Sequence, residues 1–169
     1  MIPEERFVEL FDTLPIMTIG GSDYKPQFDF GTEIDLNNFL NQKRKEKSNP
    51  YPLVWLQTPF RGVEFRDGRM ELRNLNFVLA TLSSASKSNK ERLSVTFGTT
   101  LEPLLEYFKI ALNQSGFTEI IRNVEFERTD HFNYGQDGKA VFTDIWDAIQ
   151  IGIDVSMTEN CLQQINYQL

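Results

Sequence analysis

Ile149-Gln150-Ile151-Gly152-Ile153-Asp154-Val155-Ser156-Met157 alternates apolar and polar residues without a break. A period of two belongs to a strand with one buried face, because successive side chains leave a strand on opposite sides. Upstream, Ile120, Arg122, Val124, Phe126 and Arg128 share one parity and predict a partner strand. Between the runs lies Asp130-His131-Phe132-Asn133-Tyr134-Gly135-Gln136-Asp137-Gly138-Lys139, with two glycines and two turn-forming acids. Thr118 to Met157 is therefore expected to form a long antiparallel hairpin with an extended tip. Phe132 and Tyr134 in that tip need a surface to touch.

Such a hairpin needs a cover, and the strongest helix signal supplies it. Leu101, Leu104, Leu105, Phe108, Ala111 and Leu112 recur at helical spacing. Thr99 or Thr100 is expected to cap Leu101–Ser115, Pro103 falls in its first turn, and Gly116 ends it. Burying that stripe is worth on the order of 10 kcal/mol before entropy. Tyr51-Pro52-Leu53-Val54-Trp55-Leu56-Gln57 is apolar on both parities, as is the middle of Asn74–Ser84, so both are read as central strands. Val63–Leu72 reads as a hairpin turning at Asp67-Gly68, and Ala85–Arg92 as an exposed loop or frayed helical turn. Before them come a helix over Glu4–Leu14 closed by Pro15, an ambiguous stretch over Ile16–Phe30, and a helix capped by Asp35 that runs to about Lys45. The basic cluster Lys43–Lys47 reads as a solvated helix end.

Strands cluster rather than alternating with helices. The predicted class is α+β: a mixed or antiparallel curved sheet with helices mainly on one face and a long protruding β-hairpin. One domain over 1–169 is expected, with a helical and irregular part over 1–50, a sheet-and-helix core over 51–161, and a Gln-rich tail over 162–169 that is short or ordered only by a neighbour. Lys+Arg 17 against Asp+Glu 24 gives a net charge of -7, which argues against tight duplex DNA binding through phosphate neutralisation. Cys161 is the sole cysteine, so no intrachain disulfide forms and a reducing compartment is expected. No leader peptide or membrane span is read from the sequence.

No catalytic constellation emerges. Asp130 beside His131, the one histidine, lacks a placed nucleophile. One His and one Cys make no zinc site, Asp137-Gly138 does not extend to a calcium loop, and no phosphate-cradling glycine motif occurs. Asp144 and Asp147, flanking Trp146, read as surface acids rather than a glycosidase pair. The expectation is a non-enzyme with no cofactor and no metal.

Tyr51-Pro52-Leu53-Val54-Trp55-Leu56, Asn76-Phe77-Val78-Leu79, the Leu101–Ser115 helix, and His131-Phe132-Asn133-Tyr134-Gly135 leading to Phe142-Thr143-Asp144-Ile145-Trp146-Asp147-Ala148-Ile149 resemble small neck proteins of tailed bacteriophages. The likeness is to the tail terminator and head–tail connector type, particularly of Bacteroidetes phages and prophages, and covers Tyr51 to Cys161 as one of layout and phrase. It implies a structural virion protein, made in the host bacterial cytoplasm, that forms a homomeric ring at the head–tail junction or tail end. DNA would pass through the lumen without sequence-specific binding. The implied partners are other copies of the chain and the adjoining connector, portal-side or tail-tube proteins, with no membrane. Asp130, His131, Phe132, Asn133, Tyr134 and Lys139 are the expected subunit-interface residues, and shortening that tip should abolish assembly while leaving the fold. The alternative is a small acidic intracellular binding or adaptor module that engages a basic protein. A hydrolase built on Asp130 and His131 is a third.

Overall fold

β9 (Trp146–Met157) is the strand on which the sheet is assembled. In the computed structural model, which describes residues 1–84, 86–132 and 144–169, it pairs antiparallel along its length with β6 (Met70–Leu82), Met70 facing Met157 at one end and Leu82 facing Trp146 at the other. Its other side takes β7 (Thr118–Ile120) and β8 (Glu125–Phe132), both antiparallel. On the far side of β6 lie β5 (Arg61–Glu64) and β4 (Leu53–Gln57), and β3 (Gln27–Gly31) adds to β4 in parallel. The sheet is mixed and the fold is α+β. β1 (Met17–Ile19) and β2 (Ser22–Tyr24) form a separate two-stranded hairpin.

The alternation in β9 has its predicted consequence. Ile149, Ile151, Ile153 and Val155 share one face with Phe77, Leu79, Val54 and Leu56, and this face carries the larger core. Helix α1 (Pro3–Phe11) and α4 (Glu102–Gln114) cover it. Phe11 stacks on Phe108 at 5.2 Å between ring centres, and Phe77 meets Phe108 edge-on at 4.9 Å. The opposite face buries Leu53, Trp55, Val78, Ala80, Trp146 and Ala148 beneath α2 (Glu33–Lys45). β4 is thus buried on both sides, as its continuous apolar run required. No helix among the described residues is long and apolar enough to cross a membrane.

Several expectations need correction. Val63–Leu72 and Asn74–Ser84 are not separate pieces: β6 runs through both, and a bulge between Leu72 and Leu75 switches its parity so that both leucines reach the same core. The run from Ile120 to Arg128 is broken between β7 and β8. Thr32, not Asp35, caps α2; Asp35 is the third residue of a capping box and accepts from Thr32 N–H and Oγ1. Gln27–Gly31, within the stretch that the sequence leaves ambiguous, is a sheet strand, so residues before 50 share a sheet with those after it.

The helix expected from Leu101 starts much earlier. Ser88 caps α3 (Asn89–Glu91), which widens into a π-helix over Arg92–Leu101 before α4 begins. Thr99 and Thr100 lie inside this continuous helix and cap nothing. Glu102 N–H reaches back five residues to Phe97 O, and the ordinary repeat resumes as Pro103, which has no N–H to give, enters.

The C-terminal segment is not left to a neighbour. Leu162, Ile165 and Tyr167 pack against the main core, and Tyr167 Oη lies 2.6 Å from Thr13 Oγ1. Gln163 N–H donates to Ser115 O at 2.8 Å, so the segment is held between α1 and the end of α4.

Candidate functional site

Arg92 ties together the base of the hairpin. The Ser88–Glu91 capping box starts the helix by satisfying free amides at both ends of the box, and this sets Arg92 just inside the first turn. The side chain is 3 % exposed. Its Nη1 donates to Asp130 Oδ2 on β8 at 3.0 Å and its Nη2 to Ser84 O, beyond the end of β6, at 2.9 Å. Nε stands 3.7 Å from Asp147 Oδ1 on β9, and Ser83 Oγ donates to the other oxygen of Asp147 at 2.8 Å. One buried cation thereby fastens the helix to β6, β8 and β9.

Asp147 is fully buried and Asp144 half-buried, so neither is the surface acid expected. Asp144 accepts from Tyr51 Oη at 2.6 Å and from Arg44, while Tyr51 Oη accepts from Trp146 Nε1 at 2.6 Å. Burial, and then the bond to Asp144, pushes the Tyr51 phenol far above its ordinary range. Tyr51 remains a neutral donor that joins β9 to the loop before β4.

Of the expected interface residues, Asp130 is on β8 and engaged by Arg92. His131 and Phe132 end the same strand, with Phe132 opposite Trp146 in the ladder. Asn133, Tyr134 and Lys139 lie outside the described residues, as does Phe142. Trp146, at the start of the return strand, is core.

The margin beside β8 carries a surface that local patterning did not reveal. Asn89, Arg92, Leu93, Phe97, Arg128 and Asp130 line a cavity of about 280 Å³. Leu93 is 65 % exposed and Phe126 48 % exposed. Arg128 joins them, lining that cavity, stacking over the Phe126 ring at 5.1 Å and pairing with Glu102 on α4 at 2.6 Å. Among the described residues, β8 pairs with β9 alone. Its outer backbone groups face outward beside this mixed apolar and charged patch.

The opposite side of the sheet has a different character. Where α2 does not reach, Gln57, Asn76, Glu125, Glu127, Gln150 and Gly152 frame a shallow cavity of about 420 Å³. Amides and carboxylates without a balancing cation in that frame make it a surface that repels polyanions. No group of three or more His, Cys, Asp or Glu among the described residues is arranged to hold a metal ion.

The missed residues had uneven sequence signals. Ser88-Asn89-Lys90-Glu91 is a readable capping box. Arg92 gave no local sign, because its carboxylate partners Asp130 and Asp147 are 38 and 55 positions away. No protein-family model matches the chain, and no curated protein matches its sequence.

Proposed function

We propose that this chain is a structural subunit of a tailed-phage virion that joins copies of itself into a ring at the head–tail junction or tail end, with DNA passing through the lumen. The observation that carries the reading is the margin of β8: an eight-residue strand with one side unclaimed by any described strand, bordered by exposed Leu93 and Phe126. Edge strands left open normally carry charges that discourage stray pairing, and Glu125, Glu127, Arg128 and Asp130 supply them. A second copy meeting this margin would cover apolar area and answer those charges with its own. Repeated with a fixed rotation, such a contact closes a ring. The amide- and acid-lined face around Gly152 suits a lumen through which a polyanion slides without being gripped.

The alternative, an acidic module that grips a basic partner, draws on the net charge of -7 and on the same carboxylate-bearing face. Native mass spectrometry and negative-stain imaging of the purified chain and of virions separate the two. Rings, or the chain at fixed copy number in virions, support the structural reading. A strict monomer absent from virions and captured one-to-one by a basic protein sinks it.

A further inference from the structure

A second concavity, remote from the hairpin in the strand order, is built differently. β3, α2 and β4 form a parallel crossover unit, and a cleft of about 680 Å³ opens between α2 and the two strands. Asp29 on β3 lies directly across from Trp55 on β4, with both on the face that α2 covers. Trp55 is 1 % exposed, its ring 6.0 Å from that of Phe39, and its Nε1–H has no hydrogen-bond acceptor among the described residues. Buried donors almost always have partners, because stripping water from one without replacement is costly. Among the described residues, three carboxylates line the cleft, Glu4, Asp29 and Asp35, and they are not equivalent. Asp35 is consumed by the Thr32 capping box. Asp29 gives one oxygen to Phe30 N–H at 2.9 Å and keeps the other. Burial holds its carboxyl above the usual range, offset in part by that N–H and by Lys43.

A half-buried carboxylate and an unsatisfied indole donor therefore stand side by side in a recess of ligand size. An anion is excluded by the carboxylate, and a neutral apolar group would leave both polar groups without partners. We infer that the cleft binds the cationic side chain of an arginine or lysine residue in an exposed segment of a partner protein: Asp29 receives the cation and the Trp55 N–H donates to a main-chain carbonyl beside it. Lys43 already lies over the Phe39 ring at 5.4 Å, so the aliphatic stem of the incoming residue lies along the Pro59 and Phe60 side of the cleft, as long cationic side chains do on apolar surface. The inference does not depend on ring assembly, since it concerns a cleft away from the β8 margin and another chemistry.

The test is titration of the whole chain with N-acetyl-arginine amide and N-acetyl-lysine amide, read from the two indole N–H resonances in nitrogen–proton NMR spectra. A saturable shift of the Trp55 resonance by at least one probe is expected, with the Trp146 resonance, whose N–H is already given to Tyr51, unmoved. N-acetyl-norleucine amide should leave both in place. Asp29→Asn keeps an acceptor for Phe30 N–H, so the fold stands, and affinity should drop at least tenfold. Asp67→Asn, an acid in the β5–β6 turn, should change nothing. The idea is overturned if neither cation moves Trp55, if norleucine amide moves it equally, or if Asp67→Asn weakens binding as much as Asp29→Asn, which would mark attraction to net charge alone.

Discussion

The carboxylate of Asp154 accepts the main-chain N–H of Asn74 at 2.8 Å, across eighty residues of chain. Asn74 has a φ of 53°, and it lies in the bulge where β6 changes parity against β9. The bulge frees an N–H from the ladder, and Asp154, 9 % exposed, takes it up while its second oxygen meets Arg122 Nε at 3.3 Å. Asp154→Ala should cost about 1.5–3 kcal/mol, the range for a bond to a charged acceptor whose loss orphans a donor. Asp154→Asn, which keeps an acceptor, should cost less than half of that. Urea unfolding of the three proteins measures both, and equal costs would show that the charge rather than the bond holds the bulge.

Arg92 and Asp147 make a second test. Removing one member of a buried ion pair leaves a charge in a poor solvent and costs roughly 3–5 kcal/mol. Arg92→Met is thus expected to lower the denaturation midpoint sharply. Arg92→Met with Asp147→Asn should recover more than half of the loss, because the amide still accepts from Ser83 and no longer carries charge. A double variant no better than the single would show that the arginine's hydrogen bonds to Ser84 and Asp130 dominate.

These two aspartates show where the sequence was legible and where it was not. The alternation in β9 named the strand and its apolar face, and the both-parity runs of Leu53–Gln57 and Asn76–Leu79 named the central strands. Asp147 and Asp154, by the same logic, looked like solvent-facing partners of that alternation. They are buried because of groups far away in sequence: a helix turn, a bulge amide, a serine beyond β6. The helix start was hidden for another reason. Through the π-helix the buried positions are Arg92, Thr96, Phe97, Thr100 and Leu101, a repeat wider than 3.6 residues, so an ordinary helical template finds nothing before Leu101. The parallel pairing of β3 with β4 has no local signature at all, and with it the Asp29–Trp55 cleft was invisible. The margin beside β8 likewise depends on Leu93 and Phe126 meeting through Arg128, which only the fold arranges.

The capping box of α2 predicts a pH dependence. Hydrogen bonds from the Thr32 side chain and backbone hold the Asp35 carboxyl below its ordinary range. The folded value lies below the unfolded one, near 3.9. The stabilisation is therefore present above that unfolded value and is lost as pH falls through the lower, folded value. Thr32→Ala should cost about 1 kcal/mol at neutral pH, and its difference from the parent should shrink steadily below about pH 4. A difference that stays constant down to pH 2 would mean that the cap acts through backbone geometry alone.

The proposed assembly margin is tested by Leu93→Asp and Phe126→Asp. Both side chains are largely exposed, so each change should alter monomer stability by no more than about 0.5 kcal/mol. Either should shift the chain from rings to monomers in native mass spectra at equal concentration. Rings that persist in the double variant would place the contact elsewhere.

Gly116 answers two demands at once, and they can be separated. Its φ of 80° ends α4 in the left-handed region, and a Cβ there would stand 2.5 Å from Gln163 Cγ in the C-terminal segment. The backbone demand alone should make Gly116→Ala cost about 1–2 kcal/mol. The contact demand adds displacement of Gln163, whose N–H donates to Ser115 O and pins the segment. Gly116→Ala should thus both destabilise the fold and raise hydrogen exchange through Leu162–Tyr167. Adding Gln163→Ala removes the obstructing Cγ while leaving the backbone bond possible. Exchange in the segment should then return towards that of Gln163→Ala alone, while the 1–2 kcal/mol backbone cost remains in the melt. If the pair instead proves additive in both measurements, Gly116 is needed for its φ only, and the docking of the C-terminal segment rests on Leu162, Ile165 and Tyr167.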